Sequence, residues 1–163
     1  AATVDSLLAS VTASRFYNRN RKQSLIESAV QSDDKDIFVK VLNGQSPDIW
    51  LTSDTSLGGP ESPYYYSREH ILHRAIATGK KNVALFLAQH PDTDVLAVGY
   101  DQKTFYVSGG SLLHTGHIAQ DISEHRSPLM EAKVKGMQEI VDVLAERVKT
   151  AAPKSPAPPK SAF

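Results

Sequence analysis

Cysteine is absent from the 163-residue chain, which excludes a disulfide framework and any thiolate metal site. Long apolar runs are absent too. The longest, Val83 to Ala88, falls far short of the roughly 20 residues a membrane-spanning helix needs, and the first residues lack a charged start followed by an apolar signal core. There is no excess of charge: 18 basic residues balance 18 acidic ones, so no global field draws the chain to nucleic acid or anionic lipid. Gly-x-Ser-x-Gly elbows, Walker loops and Gly-x-Gly-x-x-Gly turns are missing, and with them the usual signals of hydrolases, nucleoside triphosphatases and dinucleotide enzymes. The chain starts at Ala1 without methionine and carries no Asn-x-Ser/Thr acceptor; it is expected to be a processed form or a piece of a longer protein.

What is present suits one compact domain with a real core, because 40% of the residues are hydrophobic. Val4, Leu7, Leu8 and Val11 fall at i, i+3, i+4 and i+7, the stripe of an amphipathic helix. A polar joint follows at 15–22, and Ser24-x-x-Glu27 has the spacing of a capping box that opens a second helix. Three later segments then superimpose. Leu72-His73-Arg74-Ala75, Gly79 and Val83–Leu87 match Leu129-Met130-Glu131-Ala132, Gly136 and Ile140–Leu144 with identical spacings. A weaker copy runs from Ile26 through Ala29 and Asp33 to Leu42. Each copy reads as helix, turn, helix: Ser127 and Pro128 suit an N-cap and first helical residue, Ser67 is placed to cap the middle copy, and Gly79 and Gly136 can take the left-handed conformation that ends a first helix.

This pattern resembles the ankyrin repeat, whose T-P-L-H-x-A opening looks like His70–Ala75 and Ser127–Ala132, in a degenerate form of about three repeats with long insertions. Met130 stands where the family has histidine, and the copies start 46 and 57 residues apart instead of about 33. The expected fold is accordingly mostly α: an ankyrin-like helix-turn-helix solenoid with an extended β-hairpin insertion. Its parts are a capping helix and joint at 1–23, a repeat domain at 24–150, and a Pro/Ala/Lys-rich disordered tail at 151–163. Repeats are placed near 24–45, 67–96 and 127–150, with insertions at 46–66 and 97–126. The insertions are rich in aromatics, which argues that they are ordered, with Trp50 and Phe105 assigned to core. The hairpin is read as Thr104–Val107 and Ser111–His114 around Ser108-Gly109-Gly110.

The resemblance implies a protein-protein interaction module, scaffold or adaptor, that recognises a partner protein through its insertions and concave helix face. Tyr64, Tyr65, Tyr66, Arg68, Tyr100, Lys103 and Tyr106 are the candidate contact residues, at least one of the three consecutive tyrosines having to face solvent. No catalytic residue and no cofactor is assigned. Ser32-x-x-Lys35 lacks the companion motifs of acyl-transfer enzymes and reads as a polar turn. Two alternatives stand beside this reading. One is a metal-binding protein or metalloenzyme drawing on His70, His73, His114 and His117, with His125 nearby in sequence, although no His-Glu-x-x-His helix is present and His73 matches the structural histidine of the ankyrin opening. The other is a phosphate or nucleic-acid binder using the basic segment around Arg19 and Arg21. The chain is expected to be monomeric alone and cytoplasmic, in the host cytosol if it is an exported effector.

Overall fold

A computed structural model describes residues 19–56, 58, 62–107, 116–154 and 156–161, with only the backbone given at Arg19 and Asn20. The N-terminal amphipathic stripe, the Ser108-Gly109-Gly110 turn and the Ser111–His114 segment lie outside the described residues. Among the described residues, helix pairs and strand pairs alternate, six helices and four strands in all. They are α1 (Arg19–Ser32), α2 (Lys35–Leu42), β1 (Trp50–Ser56), β2 (Tyr64–His70), α3 (Ile71–Ala77), α4 (Lys81–Gln89), β3 (Tyr100–Val107), β4 (His117–Glu124), α5 (Pro128–Val134) and α6 (Gln138–Val148). No helix among the described residues is long and apolar enough to cross a membrane.

The expectation of a mostly helical solenoid with one projecting hairpin is overturned: the described residues are 42% helix and 23% strand, a mixed fold with a four-stranded antiparallel sheet in the order β1-β2-β3-β4. Both insertions form hairpins, and the two hairpins pair through β2 and β3 into one surface. The return strand of the second hairpin is His117–Glu124, well past the Ser111–His114 expected for it. Closing the sheet this way satisfies inner backbone groups that two separate ribbons would leave to water.

Each helix pair buries its facing sides. Helices α1 and α2, α3 and α4, and α5 and α6 pack within pairs, while α3 lies against α5, and α4 against both α2 and α6. The core between them holds Val30, Phe38, Leu72, Ile76, Leu87 and Leu144, all fully buried, with the rings of Phe38 and Phe86 meeting edge-on at 5.9 Å. Each such large side chain contributes about 1.5–3 kcal/mol by leaving water. The small residues Ala29, Ala75 and Ala132, at 3, 0 and 0% exposure, let neighbouring helices approach.

The turns within the pairs share one backbone requirement. Gly79 and Gly136 sit at φ 74° and 69°, and Asp33 takes the same left-handed region at φ 52°. Aspartate is among the few side chains that visit this conformation, and here its carboxylate reaches across the fold: Oδ1 accepts the Asn82 and Val83 amides at 2.9 and 3.2 Å and so caps α4, whose own N-cap Lys80 offers no side-chain bond. Two expected starts are corrected. Ser24 lies inside α1, which begins five residues earlier, and Ser67 lies within β2, where α3 is capped by His70 instead. The Ser127 side chain does accept the Met130 amide, at 3.2 Å, with Pro128 following.

Both outer edges of the sheet are engaged by side chains. The Gln23 carboxamide donates to the Thr52 carbonyl at 2.7 Å and accepts the Thr52 amide at 3.0 Å on β1. On β4 the Ser161 hydroxyl accepts the Ile122 amide at 2.9 Å and donates to the Ile122 carbonyl at 3.3 Å. Exposed edges of this kind invite pairing with other chains, and a bonded side chain blunts them. The Ser161 contact also places the described part of the proline-rich segment expected as a disordered tail along the domain, with Lys154 Nζ donating to the Asp92 carbonyl at 3.2 Å on the way.

Candidate functional site

Side chains alternate between the two faces of a strand, so the register decides which candidates stand together. Tyr64, Tyr66 and Arg68 of β2 oppose Thr104, Gln102 and Tyr100 of β3, and Tyr106 opposes Ile118 of β4. Tyr64, Tyr66, Arg68, Tyr100 and Tyr106 therefore share one face, whereas Tyr65 and Lys103 stand opposite each other on the other. The seven candidates do not form a single surface.

The first face is aromatic. Tyr66 and Tyr100 lie 5.9 Å apart, and the Tyr64 hydroxyl donates to Asp54 Oδ2 at 3.2 Å. Arg68 holds its guanidinium 4.0 Å above the Trp50 ring, whose edge meets His70 at 5.1 Å. Trp50 is only half-buried, and so is Phe105 on the opposite face; neither belongs to the core as expected, because among the described residues no second layer covers the outer part of the sheet. Tyr64, Tyr106 and Ile118 are 38, 47 and 72% exposed, so the apolar band continues to the outer edge. Ile118 and Ile122 were missed from sequence, because Gln120 interrupts the alternation on their face and their i, i+4 spacing does not mark a strand.

The second face is polar. Ser53, Ser67, Asp101 and Ser123 stand in register across all four strands and floor a shallow groove of about 310 Å³, walled by Tyr65, Lys103 and Asp121. Where this face meets the helices, charged groups converge. Glu69 at the end of β2 accepts from His73 Nδ1 at 2.7 Å and from the Arg74 guanidinium, which also reaches Glu27 at 3.1 Å. Burial pushes the Glu69 carboxyl up, but the bonds from His73 and Arg74 outweigh it and hold Glu69 below its ordinary value. Burial likewise lowers Arg74, and its two glutamates outweigh that, raising it. Glu131 of α5 bonds Arg126 at 3.1 Å and stands 3.7 Å from His73 Nε2. His125, just after β4, stacks on His73 at 5.2 Å and meets Asp101 at 3.1 Å. The approach is tight enough to require glycine: a Cβ on Gly99 would stand 2.1 Å from the Arg68 carbonyl oxygen.

The histidines proposed as one ligand set separate. His70 is fully buried; its Nδ1 accepts the Leu72 amide at 3.2 Å and its Nε2 donates to Asp48 Oδ1 at 2.6 Å. Asp48 also accepts the Asp94 amide at 3.1 Å, tying the segments around residues 48 and 94 to the junction of β2 and α3. Burial raises its carboxyl, and these bonds more than compensate, so Asp48 sits below its ordinary value. His117 is exposed on β4 opposite Val107, and His114 lies outside the described residues. His73 finds its neighbour in His125, 52 residues along the chain. Ser32 of the Ser-x-x-Lys match donates to the Ala29 carbonyl at 2.6 Å and accepts the Asp34 amide at 3.2 Å, as a polar turn does. In the basic segment, Lys22 bonds Gln45. No known protein family matches the chain, and neither a curated protein nor a solved structure is significantly similar to it.

Proposed function

We propose that the chain is a protein-recognition module whose contact surface is the aromatic face of its four-stranded sheet. The supporting observation is that Tyr64, Tyr66, Tyr100, Tyr106 and Ile118 share one face of three adjacent strands, Tyr106 directly opposite Ile118, with these two 47 and 72% exposed. Tyrosine supplies rigid, half-wet contact area with little ordering cost, and contiguous exposed apolar patches on folded domains mark interaction sites. The partner suited to this face presents an apolar ridge flanked by hydrogen-bonding groups that reach the tyrosine hydroxyls and Arg68. Tyr65 and Lys103, on the opposite face, are left out of this surface. The proposal keeps the expected recognition through the segments between the helix pairs; the helix pairs act as the support that holds the hairpins in register.

Affinity capture with the full chain tests it, comparing the native sequence with a Tyr64→Ser/Tyr106→Ser variant by quantitative mass spectrometry. Proteins retained by the first and lost by the second are expected. Identical retained sets, with the variant folded, would remove the proposal.

A further inference from the structure

We propose that Glu69, His73 and His125 form a zinc-binding site at the base of the polar face. One donor atom from each lies within 4.8 Å of the other two, and the three side chains are only 14, 11 and 15% exposed. Two imidazoles and one carboxylate are a donor set that suits zinc, and three protein ligands leave a fourth position for water.

The surroundings are those of a metal site. Histidine ligands hand their second ring nitrogen to a carboxylate, which fixes the tautomer and the ring's direction. His125 Nε2 meets Asp101 at 3.1 Å, which leaves the lone pair on Nδ1, and that nitrogen is buried with no hydrogen-bond partner among the described residues. Glycine at position 99 keeps it clear, since a Cβ there would stand 2.8 Å away. His73 has Glu69 on Nδ1 and Glu131 at 3.7 Å from Nε2, so Nδ1 can ligate beside Glu69 while Nε2 keeps an acidic group facing it. The second Glu69 oxygen is held by Arg74. Charge points the same way: Glu27, Glu69 and Glu131 pair with Arg74 and Arg126 while Asp101 meets His125, so four carboxylates against two guanidiniums leave two negative charges for a divalent ion bound by neutral imidazoles to balance.

Binding has a defined structural cost. Zinc sits about 2.0–2.2 Å from each donor, so it must replace the proton that bridges His73 and Glu69, and His125 must swing out of its stack on His73, where the rings are inclined by 18°. The bound ion then ties β2, α3 and the joint between β4 and α5 into one unit.

Titrating metal-free full-length protein with zinc chloride by calorimetry, with cobalt(II) absorption as the ligand-field readout, tests the site. The expected result is one ion per chain and a raised Tm, with binding weakened at least tenfold by His125→Ala and about 10–100-fold by Asp101→Asn, the scale of lost supporting carboxylates. His117→Ala is expected to change nothing. Asp101 is 62% exposed, so its conservative variant still reports if His125→Ala does not fold. Absence of binding to the native chain at about 100 μM free zinc, far above the affinity of a zinc site, overturns the proposal. So does binding that Asp101→Asn or a folded His125→Ala leaves unchanged.

Discussion

Replacing Asp48 tests how the first hairpin is tied to the helices. Its Oδ1 takes the buried His70 Nε2–H at 2.6 Å and the Asp94 amide at 3.1 Å. In Asp48→Ala the His70 donor is left without its acceptor, which costs about 1–3 kcal/mol, and the Asp94 amide loses about 1 kcal/mol more. The Asp48 side chain is 24% exposed, so water refills part of the gap and the net loss is set at about 2–3 kcal/mol. For a chain of this length that is a fall in Tm of roughly 4–12 °C. Asp48→Asn keeps an acceptor but not the charge, and is expected to lose about half as much. The pH dependence has a definite sign. The folded carboxyl sits below its ordinary value of 3.8, so its contribution is full above that value and is lost as pH falls through the lower folded one. Urea unfolding between pH 5 and pH 3 is therefore expected to show the gap between the native chain and Asp48→Asn narrowing on acidification. A loss under about 0.5 kcal/mol for Asp48→Ala, or a gap indifferent to pH, would refute the reasoning.

Arg147 of α6 donates to the carbonyls of Ala88, His90, Pro91 and Thr93 at 2.9, 2.9, 3.3 and 3.2 Å, closing the end of α4. Arg147→Ala should cost about 2–3 kcal/mol in urea unfolding, and Arg147→Lys should not restore it, because one ammonium cannot reach what the planar fork reaches. Asp33 combines a left-handed backbone with the cap of α4. Asp33→Gly should lose about 1 kcal/mol for the cap alone and Asp33→Ala about 1 kcal/mol more for strain, with faster hydrogen exchange at Asn82 and Val83 in both.

Local signals made the helices readable. The apolar spacing of the three aligned segments, the pair Ser127-Pro128, and Gly79 and Gly136 each reflect a demand made within a few residues of the chain. The first hairpin gave no such signal. Its first strand ends in Thr52-Ser53-Asp54-Thr55-Ser56, and since much of the sheet is wet on both faces, no alternation of apolar and polar residues is required of it. The return strand of the second hairpin was placed too early because Ser108-Gly109-Gly110 carries a tight-turn signal in sequence, while the described pairing begins at Val107 and His117. The candidate tyrosines were visible as a cluster, but their division between faces depends on register, which only the pairing with β3 settles. His73 and His125 are far apart in sequence and meet because β3 and β4 carry the chain out and back.

The most direct measurement compares the two faces of the sheet. Binding of an isolated partner would be measured against Tyr106→Ala/Ile118→Ala on the aromatic face and Tyr65→Ala/Lys103→Ala on the polar one, with matching circular dichroism as the control. Recognition by the aromatic face predicts at least a tenfold loss of affinity in the first variant, about 1.4 kcal/mol or more, and no more than twofold in the second. The reverse order, or equal affinities throughout, would contradict it.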